Sequence, residues 1–239
     1  MTNNLRVEAH IKALRDLYKE SLYHVAREIC KYPDVNERTH ARIVEALESP
    51  TDRKLICVPR GTLKSSVGTI AYPIWLMINN PNIRILIDTE VYSNSITYLR
   101  EIKNILASEK FISLFGDLRS ANWNEGEITL SNRTKTFKEA TITCGAIGTI
   151  KVGQHYDVII ADDYSSNRNC NSPEQRQKVI DHFKYNLSIL EPDGIVAVIG
   201  TRYHEDDIIG FIIKKILGFT NETVMRQNLV KHKGVYWYE

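Results

Sequence analysis

The stretch Cys57-Val58-Pro59-Arg60-Gly61-Thr62-Leu63-Lys64-Ser65-Ser66 follows an apolar run and ends in Lys-Ser, as a phosphate-binding loop does. Aligned on Lys64, the G-x-x-x-x-G-K-[ST] pattern asks for glycine where Val58 and Leu63 stand, and the glycine present is Gly61, between them. Two readings of the segment stand: a phosphate loop with displaced glycines, or an ordinary basic turn from strand to helix. On the first, Lys64 would set its ammonium against β- and γ-phosphates and Ser65 would offer its hydroxyl to Mg²⁺. The helix start would add unpaired N–H groups. A cradle of amides would then have to form through Leu63, a residue type that resists positive φ.

The pattern around this loop is strand, loop, helix. Lys54 to Pro59 predicts a short buried strand, and Ser65 to Asn79 an apolar helix kinked or shortened at Pro73. Arg84 to Thr89 predicts a second strand, followed by a helix from Ser95 to Ala107 with Ile96, Leu99, Ile102 and Leu106 on one face. Alternation of strand and helix implies a parallel sheet. The segments "NWNEGEITL" and "EATITCGAI" alternate apolar and polar residues and predict an inserted antiparallel hairpin flanking that sheet. Asp157 to Ala161 predicts a buried strand. Ser172-Pro173-Glu174-Gln175 then opens a helix to about Leu190, with an N-cap and a proline at the first position. "IVAVIGT" gives a further strand, and a helix from about Asp206 to Leu217 would stop at Gly218. Upstream, Leu5, Ile11, Leu14, Leu17, Leu22, Val25 and Ile29, then Ile43, Val44 and Leu47, predict N-terminal helices broken at Tyr32-Pro33-Asp34.

Composition narrows the class. With 239 residues and 43% hydrophobic content the chain has enough apolar surface for a sizeable core. A net charge of +2 excludes a polycationic nucleic-acid binder, so contact with DNA would use local basic patches. The four cysteines lack C-x-x-C spacing, which argues against a zinc site or a disulfide framework. The N-terminus is polar where a signal peptide needs an apolar core, and no run approaches about 18 uninterrupted apolar residues, so no membrane partner is expected.

Three polar sites fall at the C-terminal ends of three predicted parallel strands, the edge at which open α/β sheets bind ligands. The first is the loop ending in Lys64. The second is the acid pair Asp162-Asp163 after "DVIIA", where Asp162 would hold Mg²⁺ and Asp163 polarise water; a turn or helix cap is the alternative for such acids. The third is "GTRYHEDD", where Thr201 and Arg202 stand just past a strand and Glu205, Asp206 and Asp207 complement a helix dipole.

Together these residues resemble the ATPase domain of the large terminase subunit, the motor that packages DNA into tailed bacteriophage and related viral capsids. In that family an arginine often stands four residues before the loop lysine, as Arg60 does here, and "PRG..KS" is a common form of the loop. "YDVIIADD" is similar to its Walker B strand and "GTRYHEDD" to its coupling motif. The resemblance runs from about Leu22 to Gly218. It implies an ASCE-type P-loop NTPase: a mostly parallel sheet flanked by helices, with an N-terminal helical segment over residues 1–50, a motor core over 51–218 and a tail over 219–239. That tail would be the start of a linker toward an RNase H-like nuclease, and no nuclease activity is expected of this chain, as an ATPase-only fragment or the product of a short or split gene.

By the same resemblance the ligands are ATP and Mg²⁺. Arg60, Gly61, Thr62, Leu63, Lys64, Ser65 and Ser66 form the phosphate loop, Ser65 and Asp162 hold the metal, Asp163 is the catalytic acid, and Thr201 senses the γ-phosphate. Arg60 would stabilise transition-state charge in cis. Asp163 stands where many members carry Glu. The family forms homo-oligomeric rings with a finger from the neighbouring subunit near the turn before the Walker B strand. "TIKVGQHYD" offers Lys151 there, with Arg168 and Arg202 as rivals. His40 is the adenine candidate. The implied partners are double-stranded DNA, held by its backbone, the portal protein and the small terminase subunit, in the host bacterial cytoplasm at the portal vertex of the procapsid. Two alternatives remain at this level: a hydrolysis-deficient adaptor on DNA or portal, and a helicase-like ATPase.

Overall fold

The computed structural model describes residues 2–149, 151–216 and 236–237. Apolar runs with no polar face must be covered on both sides, and here they become the middle of a sheet. The strands are β1 (Arg53–Cys57), β2 (Ile85–Thr89), β3 (Glu127–Ile128), β4 (Ile142–Ala146), β5 (Tyr156–Asp162), β6 (Leu190–Gly200) and β7 (Tyr236–Trp237). They lie in the order β3-β4-β2-β5-β6-β1-β7. The five central strands are parallel, and β3 and β7 close the edges antiparallel to β4 and β1.

Helices cover both faces: α1 (Thr2–Glu20), α2 (Leu22–His24), α3 (Glu37–Glu48), α4 (Tyr72–Asn79), α5 (Tyr92–Leu106), α6 (Glu109–Phe115), α7 (Pro173–Ser188) and α8 (Ile208–Phe211). Strand side chains alternate between faces, so Ile85 and Ile87 of β2 join one core and Leu86 the other. The first core gathers Leu22 and Val25 of the N-terminal segment, Ile43, Ile74, Leu99 and Phe111 against Val158, Ile160 and Ile199. The second packs Val179, Phe183, Ile208 and Ile209 against Ile159, Val196 and Val198. At the N-terminal ends of the strands the buried Arg84 donates to Asp157 and Glu191, tying β2, β5 and β6 together.

The predicted elements α5, α7 and the central strands are present within a few residues of their expected ends. Ser172 caps α7 by accepting from the Gln175 N–H at 3.2 Å, as its spacing predicts. The expected hairpin is different. Glu127–Ile128 pairs in antiparallel fashion with β4, beside an isolated antiparallel bridge between Trp123 and Ile128, and β4 itself is an interior strand, fully buried and parallel to β2. The alternation in "TITCGA" misleads because Thr143, Cys144 and Gly145 are small enough to be buried on either face. The helix after the loop changes its hydrogen-bonding pattern just before Pro73. A π-helical stretch, Ser66–Ala71, comes first and α4 follows with Pro73 in its first turn. Pro73 has no N–H to return to the preceding turn, and the widened stretch absorbs that loss. Helix α6 has no counterpart in the predicted pattern, although Ser108 caps it through the Phe111 N–H. The last predicted helix is α8 followed by a π-helical stretch, Ile212–Ile216; its expected stop at Gly218 lies outside the described residues, as does all of the tail except β7.

Candidate nucleotide site

Strand β1 delivers the loop, β5 the acid pair and β6 the Thr201 segment, and these three strands are neighbours in the order β5-β6-β1. Successive strands β1 and β2 lie on opposite sides of β6 and β5, so the crevice between them opens at a switch in strand order.

The loop solves the problem of its missing glycines by placing Gly61 at φ 78° and Leu63 at φ 52°. A non-glycine residue in the left-handed region costs about 1 kcal/mol or more, so something must hold it. Leu63 is half-buried against the first core, Thr62 Oγ1 donates to the Pro59 carbonyl at 2.8 Å, and His40 lies beneath. His40 is 3% exposed. Its Nδ1 accepts from the Asn36 N–H, so Nε2 carries the proton and donates to the Thr62 carbonyl at 3.1 Å. Arg60 and Gly61 are exposed at the loop tip, Thr62, Ser65 and Ser66 are half-buried, and Lys64 is buried.

Lys64 Nζ stands 3.5 Å from Asp163 Oδ1. Asp163 is itself at φ 46°, with its N–H donated to the Ile199 carbonyl at 2.9 Å; this turns its carboxylate out of the strand line toward the loop lysine. Asp162, the last residue of β5, is wholly buried. Its Oδ2 accepts from Thr69 Oγ1 at 2.8 Å, whereas Oδ1 has no hydrogen-bond partner. Burial, then the charge of Asp163, push the Asp162 carboxyl up to about 6, against the opposing pull of Thr69, Ser65 and Lys64. The Tyr98 hydroxyl reaches Ser65 and Asp162 from α5, and its own pKa is raised, first by burial and then by the Asp162 charge. A buried carboxylate oxygen without a donor, beside a serine hydroxyl, is a fitting ligand pair for a hard cation such as Mg²⁺. Among the described residues no group of three or more His, Cys, Asp or Glu side chains assembles a self-contained metal site.

The third segment is bonded to the first. Thr201 Oγ1 donates to the Val58 carbonyl at 2.9 Å, the Val58 N–H donates to the Gly200 carbonyl, and the Arg60 guanidinium lies 5.3 Å from the Tyr203 ring centroid. Arg202 is committed to its own turn through the carbonyls of His204 and Glu205. Asp207 is a buried N-cap, accepting from Gly210, Tyr203 and His204; Glu205 and Asp206 are exposed. Lys151 is half-buried on the β4–β5 loop; β4, from which that loop leaves, is four strand spacings, roughly 19 Å, from β1. Arg168 is exposed on the loop between β5 and α7.

The structure therefore brings Arg60, Gly61, Thr62, Leu63, Lys64, Ser65, Asp162, Asp163 and Thr201 to one sheet edge. It adds Thr69 and Tyr98. Thr69 was legible in principle, being one helical turn beyond Ser65; Tyr98 comes from another helix and carries no sequence signal.

No protein-family model matches the sequence, and no curated protein matches it. The fold is similar to that of the HK97 bacteriophage large terminase, whose crystal structure superposes with a TM-score of 0.59 at 11% identity over 84% of this chain and 41% of that one. This chain thus spans less than half the length of the terminase it matches. The shared architecture is a mixed α/β fold with a mostly parallel sheet flanked by helices. Among the described residues no helix is long and apolar enough to cross a membrane.

Proposed function

We propose that this chain is the ATP-hydrolysing motor domain of a viral large terminase, coupling hydrolysis to movement of double-stranded DNA into a procapsid. The observation that carries this reading is the convergence of Lys64, the orphaned Oδ1 of Asp162, and Asp163 at one crevice of a terminase-like fold. Lys64 meets the β- and γ-phosphates, exchanging its contact with Asp163 for the stronger charge of the nucleotide. Gly61 and Leu63, at positive φ, turn the loop so that its amides and those opening the next helix face the phosphates. Ser65 and Asp162 would hold Mg²⁺, which supplies charge neutralisation between the phosphates. Asp163, released from Lys64, orients water and accepts its proton. Arg60 adds positive charge in cis.

Thr201 is the coupling residue. Its bond to the Val58 carbonyl, and the Arg60–Tyr203 contact beside it, join the end of β6 to the phosphate loop, so a change in loop position is felt by the β6–α8 turn. Lys151 would serve a neighbouring copy within a ring. The partners proposed are DNA, gripped by backbone charge without base readout, the portal protein and the small terminase subunit, in the cytoplasm of a bacterial host.

The test is Mg²⁺-dependent ATP turnover with DNA present. Lys64→Ala and Asp162→Ala should each abolish turnover while the fold, followed by circular dichroism, survives. Equal rates in wild type and both variants would refute the mechanism.

A further inference from the structure

Asp88 is the one acid in the interior strand β2, and it is 1% exposed. Its Oδ2 accepts from Tyr164 Oη, from His182 Nε2 at 2.6 Å and from Asn186 Nδ2. These donors come from two other places in the fold. Tyr164 follows Asp162 and Asp163 directly, and His182 and Asn186 lie one turn apart on α7. Asn186 also donates to the Tyr164 hydroxyl at 2.8 Å, closing the group. The fold makes room for the carboxylate: in register beside Asp88 on β4 stands Gly145, where a Cβ would lie 2.5 Å from Asp88 Oδ1.

The cluster reaches one element further. His182 Nδ1 accepts from the Gly148 N–H at 3.4 Å, which fixes the proton on Nε2, where it is donated to Asp88. Gly148 begins the loop that carries Lys151. A second bond, Ser166 Oγ to Glu90 Oε1 at 2.6 Å, ties the same post-β5 segment to the residue after β2. A carboxyl in a core strand is retained against a desolvation cost, and three hydrogen-bond donors are what make it tolerable here.

We propose that the Asp88–Tyr164–His182–Asn186 cluster is a positioning device: it fixes the strained Asp163 through the adjacent Tyr164, and links that position to the Lys151 loop through His182. The first half rests on the ATPase reading above; the second does not. None of the four contacts the nucleotide crevice in the interactions described, so they act through Asp163 and the loop.

The decisive variants are Tyr164→Phe, which removes one hydroxyl, and the pair His182→Leu and His182→Gln, of which only Gln retains an amide to donate to Asp88. For Tyr164→Phe, kcat should fall roughly tenfold to a hundredfold, as displacement of a catalytic group does, with KM for ATP little changed. Hydrogen exchange at the Gly148 and Thr149 amides should accelerate in Tyr164→Phe, although Tyr164 does not touch that loop. His182→Leu should reproduce both effects, and His182→Gln should restore most of kcat. The proposal is overturned if Tyr164→Phe leaves both kcat and Gly148 exchange at wild-type values, or if the two His182 variants differ from wild type only in thermal midpoint. Absence of ATP turnover in the wild type would sink the motor reading, and the exchange result would still decide the linkage.

Discussion

Asp162 shows how much a single side chain depends on the one beneath it. Its wholly buried carboxylate accepts from Thr69 Oγ1. Thr69→Val keeps the shape and deletes the donor, which leaves a buried acceptor unpaired at about 1–3 kcal/mol. The expected result is a lower denaturant midpoint together with weaker Mg²⁺–nucleotide binding by calorimetry; wild-type affinity in a destabilised variant would mean that Thr69 only supports the fold. At this scale the sequence was most informative where residue types contradicted their surroundings. Asp162 and Asp163 end an apolar run, and Lys64 sits between Leu63 and a helix. Thr69 and Tyr98 contradict nothing, so their part in the site became visible only through geometry. His40 is an adenine candidate only by its place before the first strand in the family resemblance; in the structure both its ring nitrogens are occupied by backbone, the second of them beneath the phosphate loop.

Elements meet here through close approaches that tolerate little change. A Cβ at Gly68 would lie 2.3 Å from Ile199 Cδ1, because the π-helical stretch before α4 presses on β6. Gly68→Ala should force Ile199 Cδ1 to turn away, a cost of about 1 kcal/mol, and Ile199→Val in the same chain should recover part of it, read as non-additivity in urea unfolding. Lys54 makes a different junction. From β1 its Nζ donates to the Ala46 and Ser49 carbonyls at the end of α3, and burial pushes the ammonium down from its ordinary 10.5 to about 8. Between these values the unfolded chain holds the proton more firmly than the folded one, so this group makes stability rise with pH across about 8 to 10.5. Measured against Lys54→Met, the wild type should gain relative stability from pH 7 to pH 9.5; an unchanged difference would place the ammonium in water. Helix periodicity makes α5 and α7 legible, and a cap marks α7, whereas β4 reads in the sequence as half of a hairpin, since its small residues hide which faces are covered. Register with β2 is a long-range fact that no local pattern contains.

The whole molecule divides into a chemical edge and a structural edge. The C-terminal ends of the strands carry the loop, the acids and Thr201; the N-terminal ends carry the Arg84 ion pairs that pin β2, β5 and β6. The placing of the chemistry at the C-terminal ends follows from the parallel sheet, and the βα alternation is enough to anticipate that half; the Arg84 pairs carry no signal in the sequence. Strand order is not anticipated either, yet strand order has the further consequence. With β4 and β1 roughly 19 Å apart, the loop that leaves β4 starts well to one side of the chain's own phosphate loop, which suits a Lys151 that serves a neighbouring copy. Turnover assisted by Lys151 is then second order in protein. Specific activity should climb with chain concentration and level off as neighbours saturate, and Lys151→Ala should flatten that curve without lowering its dilute limit. If the dilute limit falls as well, Lys151 acts within one chain.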